Sequence, residues 1–85
     1  MVTVCDASEA LQQAKALEHW ADCRERAVAK LELKVLQLSE QNRTEEAARL
    51  RYAARYLHEA ALRDRAQAAA LRASAHQRGA ATRVG

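Results

Sequence analysis

The 85-residue sequence contains no proline and no phenylalanine, and its two glycines are Gly79 and Gly85. The stretch from residue 1 to residue 78 therefore holds no strong helix breaker. Aromatic residues make up only 4% of the chain, which leaves few large side chains for a globular core. Alanine, leucine, arginine, glutamate and glutamine are abundant, and all of them favour helix. The composition predicts an all-α protein of extended shape.

Several kinds of site are also missing from the sequence. No apolar run approaches the roughly 20 residues needed to span a bilayer, and the stretch MVTVCDASEA has no secretory-signal pattern. Catalytic triads and glycine-rich phosphate loops are absent, so we predict no enzyme and no cofactor. Cys5 and Cys23 would lie too far apart along a helix for a disulfide. Two free thiols predict a cytoplasmic or other reducing intracellular location.

Capping residues define the expected boundaries. Asp6 and Ser8 are suitable N-caps for a first helix. Residues 39–46 form a polar cluster in which Asn42 or Thr44 is expected to cap a second helix. We therefore predict an N-terminal segment at 1–7, a helical hairpin at 8–78 with helices at about 8–41 and 44–77 and a turn at 42–44, and a flexible tail at 79–85.

Each predicted helix carries a heptad repeat with apolar residues at the a and d positions. The a positions of the second helix are all alanine: Ala47, Ala54, Ala61, Ala68 and Ala75. Small residues at this spacing allow two helices to approach closely. The pattern predicts an antiparallel two-helix hairpin, similar to a coiled coil, with an alanine-rich seam.

Charge supports this antiparallel register. Residues 1–46 hold six basic and nine acidic residues, giving −3, whereas residues 47–85 hold eight basic and two acidic ones, giving +6. If facing core residues have numbers that sum to about 85, the polar core residues Arg24 and Asp64 lie in adjacent layers. Further pairs are expected between the flanking positions: Glu18 with Arg65, Glu25 with His58, and Glu32 with Arg51.

One flank of the predicted hairpin is mainly apolar and includes the only tryptophan. A two-helix unit buries little surface, so we expect this flank to meet a protein partner or a second copy of the chain, completing a three-helix or homodimeric four-helix bundle. The alternative is that the tryptophan lies over its own hairpin. The expected interface consists of Trp20, Cys23, Ala27, Ala53, Tyr56 and Ala60.

Two other residue patterns allow different functions. His19 and Cys23 have the i, i+4 spacing of metal ligands, but two ligands do not make a site, and we predict no metal centre. The second helix is rich in arginine and also carries Tyr52 and Tyr56. Such a surface is typical of a nucleic-acid-binding or ribonucleoprotein component, which is our alternative to an interaction module or adaptor.

The segments TEEAA (residues 44–48) and AARYLHEA (residues 53–60) resemble the second helix of MIT (microtubule-interacting and trafficking) domains, in particular the type found in the nuclear-receptor-binding-factor autophagy proteins. Second helices of TPR repeats share the pattern. The resemblance covers some 25 residues and implies binding of a partner helix in an inter-helix groove, in trafficking or autophagy. MIT domains have three helices, and residues 63–65 are where a third helix would have to begin.

Overall fold

In a computed structural model, the chain forms two long α-helices, α1 (Thr3–Glu40) and α2 (Thr44–Val84). The structure describes the backbone of residues 3–84 and the side chains of residues 7–77. Ion pairs join Glu18 to Arg72 and Glu25 to His58, so the helices run antiparallel. The hairpin measures 66 × 14 × 13 Å. The predicted all-helical hairpin is confirmed, and the described residues contain no strand.

Both helices extend beyond their expected outer ends. α1 begins at Thr3 and passes through Asp6 and Ser8, the two expected N-caps. Both residues are tolerated inside a helix when the chain before them can also be helical. α2 continues through Gly79 to Val84, because a single glycine costs a helix only about 1 kcal/mol relative to alanine. Met1, Val2 and Gly85 lie outside the described residues, as do all the side chains of the expected tail.

The turn between the helices is built around Asn42, which has a positive φ of 61°. The Asn42 amide donates to the Ser39 carbonyl at 3.1 Å, and the Arg43 amide donates to the Leu38 carbonyl at 2.9 Å. These two bonds are the Schellman arrangement that ends many helices, with asparagine in the left-handed position usually held by glycine. Asn42 therefore terminates α1 and does not cap α2.

α2 begins with Arg43 as its N-cap, since the Arg43 carbonyl accepts the first helical bond, from the Ala47 amide at 3.0 Å. The Arg43 guanidinium also contacts the Glu46 carboxylate at 2.6 Å. Glu45 and Glu46 lie in the first turn, where negative charge is favoured by the helix dipole. Thr44, an expected cap, is the first helical residue instead.

Alanines line most of the core between the helices. All five a positions of α2 are buried, and nine of the eleven buried hydrophobic residues are alanines. Near the turn, Val35, Leu38 and Ala47 form a cluster against which Leu50 packs. The leucines at the other d positions, at 17, 31, 57 and 71, are only half-buried. In a two-helix hairpin, each of them is covered by the facing helix alone. Within the described side chains, no large residue is fully buried.

α2 has no break at residues 63–65. The described part of the chain consequently forms two helices, and no third helix begins at these residues. Because α2 is unbroken, no third helix covers either flank of the seam in the part of the hairpin whose side chains are described.

Candidate interaction surface

Most of the ion pairs that join the helices lie on one side of the seam. We call this side the ion-pair flank, and its paired residues are Glu18, Asp22, Glu25, His58, Arg65 and Arg72. The best-formed one joins Arg72 to Glu18, where the guanidinium donates two hydrogen bonds to the carboxylate at 2.7 and 2.8 Å. These bonds hold the pKa of Glu18 below its ordinary value and raise the pKa of Arg72. On the same flank Arg65 donates to Asp22 at 3.1 Å, and His58 Nδ1 donates to Glu25 at 2.9 Å.

The pairing differs from the expected one at two places. Glu18 and Arg65, expected to pair with each other, contact Arg72 and Asp22 instead. In the part of the chain whose side chains are described, no ion pair joins Glu32 to Arg51, and both residues line an open groove. Glu25 and His58, in contrast, are brought together.

Arg24 and Asp64 meet inside the seam itself. Arg24 Nη1 donates to Asp64 Oδ2, and the side chains are 38% and 15% exposed, respectively. The polar d positions of the two helices therefore neutralise each other near the middle of the hairpin. The sequence did not predict Asp22 and Arg72 as members of these pairs. Asp22 lies at a b position and its partner Arg65 at an e position of the facing helix, and a carboxylate and an arginine at these two positions would have been a usable signal.

The ion-pair flank also contains a shallow open groove of about 760 Å³. Its floor is apolar, and its rims carry acidic residues from α1 and basic residues from α2. The lining residues are Glu25, Val28, Glu32, Val35, Leu36, Arg51, Ala54, Arg55 and His58. The groove is partly open to solvent, and its rims carry charge of both signs.

The opposite side of the seam, which we call the Trp20 flank, carries the residues expected at the interface. Trp20 is 58% exposed and Tyr56 is 62% exposed, while Cys23, Ala27 and Ala53 are half-buried. Among the described side chains, no ion pair crosses the seam here. The Trp20 flank is thus the less polar of the two and exposes large aromatic surface.

Ala60 is the exception among the expected interface residues. It is only 8% exposed and belongs to the seam. Ala60 occupies a g position, which lies beside the d position of the seam, and its side chain is a single methyl group. α1 therefore covers this side chain and buries it. The other five expected interface residues are exposed or half-buried.

A small polar cluster borders the Trp20 flank on α1. His19 Nε2 lies 3.7 Å from Cys23 Sγ, and Arg26 Nη2 donates to the same sulfur at 3.3 Å. The His19 ring meets the Trp20 ring edge to face, with centroids 6.0 Å apart. His19 is exposed and Cys23 half-buried, so both can be reached from solvent.

The arginines of α2 do not form a single basic stripe. Arg65 and Arg72 are occupied by carboxylates of α1. Within the side chains described, Arg49, Arg55 and Arg63 make no ion pair, but they lie at heptad positions c, b and c, on both flanks of the hairpin. A continuous basic track for a nucleic-acid backbone is therefore not present on the described surface.

In the part of the chain that the structure describes, no group of three or more His, Cys, Asp or Glu side chains is placed to hold a metal ion, and neither helix has an apolar stretch long enough to cross a membrane. No protein-family model matches this chain, and no curated protein or solved structure matches it either.

Proposed function

We propose that this chain is a non-enzymatic protein–protein interaction module, which acts by packing the Trp20 flank against a second copy of itself. The observation that carries the proposal is the exposure of Trp20 and Tyr56 on the flank where, among the side chains that the structure describes, no ion pair crosses the seam. Exposed aromatic residues surrounded by small apolar side chains are typical of protein interfaces.

The surface area of the chain supports association. The chain exposes 6538 Å², whereas a compact monomer of 9.4 kDa is expected to expose about 5,000 Å². One face of the hairpin, 66 Å long and 14 Å wide, has a footprint of about 900 Å², and stable interfaces bury roughly 800 Å² per partner. A second hairpin laid along the Trp20 flank would supply this burial and complete a four-helix bundle.

A second copy fits the flank better than an unrelated helix for a geometrical reason. Trp20 lies close to the middle of α1, which spans Thr3–Glu40. In a two-fold dimer whose hairpins overlap over their full length, residues at mid-length lie nearest the symmetry axis and meet their own copies. The largest side chain of the flank then lies at the centre of the interface, which is where hot spots concentrate.

A narrower form of the proposal would make the chain an MIT-like adaptor in trafficking or autophagy, with a partner helix replacing the second copy. It is supported only by the resemblance of residues 44–60, and both forms use the chain as a structural or adaptor subunit. The half-buried free thiol of Cys23 is compatible with the reducing intracellular location proposed for it.

Light scattering of the purified full chain tests the proposal. We expect a dimer at micromolar concentration whose mass is unchanged between 50 and 200 mM salt, because apolar contacts are little screened. Trp20→Ala should shift the protein to monomer while it stays helical. Tyr52→Ala is the matched control, since Tyr52 is equally aromatic and 76% exposed but faces away from both flanks.

Three outcomes are informative. A folded monomer at high micromolar concentration would overturn the proposal. Equal loss of the dimer in Tyr52→Ala and Trp20→Ala would show that the Trp20 flank is not the interface. Tight binding of single-stranded nucleic acid that collapses over the same salt range would favour the alternative function.

A further inference from the structure

We infer that the ion-pair flank binds the same flank of a second copy of the chain, with the acidic side of each copy against the basic side of the other. The contact goes beyond the proposed packing of the Trp20 flank, because it uses the opposite side of the hairpin. Both contacts can form at once, and neither depends on the other.

Charge is divided between the two helices on this flank, which is formed by the heptad positions e and b. Within residues 7–77, these positions of α1 hold four acidic residues and one basic residue: Glu18, Asp22, Glu25, Glu32 and Lys15. The same positions of α2 hold four arginines and no acidic residue: Arg51, Arg55, Arg65 and Arg72. With histidine counted as neutral, the α1 side therefore carries −3 and the α2 side +4.

This division of charge selects one arrangement of two hairpins packed with these flanks face to face. A two-fold axis that lies between the flanks and perpendicular to the helices places α1 against α1 and α2 against α2, so like charges meet. A two-fold axis parallel to the helices places each α1 against the α2 of the other copy, so acidic and basic sides meet twice. All neighbouring helices are then antiparallel, as in up-down four-helix bundles.

Glu32 and Arg51 are placed to form ion pairs in this arrangement. Glu25 and His58 pair across the seam, and Glu32 and Arg51 occupy the equivalent positions one heptad nearer the turn. Among the described side chains, no ion pair joins Glu32 to Arg51, and both are exposed and line the groove. Rotation about an axis parallel to the helices keeps each residue at its level along the hairpin. Glu32 of each copy therefore faces Arg51 of the other, which gives two reciprocal ion pairs.

The groove also supplies apolar contact in this arrangement. Leu36 lines the groove and is 61% exposed. At the same level it faces Ala48 of the second copy, an exposed alanine at the matching b position of α2. The methyl group of Ala48 leaves room for the leucine, so the contact removes from water an apolar side chain that the single hairpin exposes.

The contact is expected to be weaker than the packing of the Trp20 flank. Exposed ion pairs each contribute little to stability, and the charges of Glu32 and Arg51 lose part of their hydration when the flanks meet. We therefore expect association at high protein concentration and low salt, since salt screens attraction between exposed charges.

Light scattering of the full chain carrying Trp20→Ala tests the inference, because this background removes the proposed contact on the other flank. At several hundred micromolar protein, we expect the mass to approach two chains at about 10 mM salt, where charges act over about 30 Å. It should return to one chain at about 150 mM salt, where charges act over about 8 Å.

Charge reversal in the same background identifies the residues. Glu32→Arg alone and Arg51→Glu alone should each stay monomeric at low salt, because like charges then face each other in both pairs. An equimolar mixture of the two variants should recover the mass of two chains, since the new arginine of one chain faces the new glutamate of the other. Recovery in the mixture would also show that both variants are folded.

The matched controls are Glu59→Arg and Arg49→Glu. They change the net charge by the same amounts at exposed positions that lie off the ion-pair flank, at f and c. Each control should associate alone at low salt as the Trp20→Ala background does. Loss of association in the controls as well would show that net charge, and not the paired positions, governs the mass, and would overturn the inference.

The remaining outcomes separate this inference from the proposed function. A mixture of Glu32→Arg and Arg51→Glu that stays monomeric would overturn the inference and assign the groove to a different partner, whatever the Trp20 flank does. Association that neither reversal weakens would also overturn it. A Trp20→Ala chain that is still dimeric at about 150 mM salt, where exposed charges are screened, would count against the Trp20 interface alone. Recovery of association in the mixture would still support the contact between ion-pair flanks.

Discussion

Arg24 on α1 donates a hydrogen bond to Asp64 on α2, within a seam whose other described core residues are apolar. Asp64 is the more buried partner, with 15% of its side chain exposed against 38% for Arg24. A carboxylate this far from water depends on its partner for solvation. The pair therefore favours one register of the two helices, because sliding α2 by one heptad would bury Asp64 against an apolar residue.

Arg24→Leu should destabilise the hairpin by about 1–3 kcal/mol, since it leaves Asp64 half-buried without a partner. The free energy of unfolding is measured by urea denaturation, followed by far-UV circular dichroism at neutral pH and fixed protein concentration. A variant as stable as the wild type would show that the pair does not hold the seam together.

The double variant Arg24→Leu with Asp64→Leu is the informative control. Replacing both partners by apolar residues removes the desolvation cost and adds apolar contact, so we expect stability equal to or above that of the wild type. If the double variant were less stable than Arg24→Leu alone, the loss in the single variant would have to come from packing and not from the unpaired carboxylate.

The close approach of the helices gives a second prediction. Ala61 is fully buried in the seam, and no room exists there for a larger side chain. Ala61→Leu should cost about 1–3 kcal/mol by overpacking. Ala66→Leu is the matched control, because Ala66 is exposed on the same helix, and it should change stability by less than about 0.5 kcal/mol. Equal effects of the two changes on thermal unfolding would contradict a close-packed alanine seam.

The seam could be predicted from sequence because its signal repeats. Alanine recurs at every a position of α2, and each of these alanines is buried in the structure. Two helices that pack at a constant distance need a small residue at each of these positions, since one larger residue would separate the helices over several turns. Near the turn, Leu50 packs against the cluster of Val35, Leu38 and Ala47, which agrees with the register that this regularity predicts.

Partners of the surface charges could not be predicted to the residue. Arginine is long enough to reach carboxylates on neighbouring turns, and Arg65 selects Asp22 over the expected Glu18. Exposed pairs contribute little to stability, so the fold does not constrain which carboxylate is chosen. Ala60, which its heptad position predicts on a flank, is buried in the seam, because a methyl group at that position is short enough for α1 to cover it.

Asn42 in the turn gives a third prediction. Its φ of 61° lies in the left-handed region, which asparagine and glycine tolerate and β-branched residues do not. Asn42→Val should lower the free energy of unfolding by about 1–2 kcal/mol, whereas Asn42→Gly should keep wild-type stability or exceed it. Urea denaturation of the two variants gives the comparison, and equal stability of both would show that the turn adopts another conformation.

The bidentate contact between Arg72 and Glu18 makes stability depend on pH. Hydrogen bonds from Arg72 lower the pKa of Glu18 in the folded protein, while the unfolded chain has an ordinary glutamate pKa of about 4.3. A group whose pKa falls on folding stabilises the fold above its unfolded pKa. This stabilisation is lost as the pH falls through the lower, folded value.

Glu18→Gln isolates this effect from the other carboxylates. At neutral pH, the variant should be less stable than the wild type. The difference in free energy of unfolding should shrink as the pH falls from the unfolded-state pKa of about 4.3 through the lower pKa of Glu18 in the folded protein. Glu32→Gln is the matched control, because Glu32 lies on the same helix and makes no ion pair among the described side chains, and at neutral pH it should cost less stability than Glu18→Gln. Unfolding midpoints measured in urea at a series of pH values give the test. A constant difference between Glu18→Gln and wild type across the series would show that Arg72 does not hold Glu18 in solution.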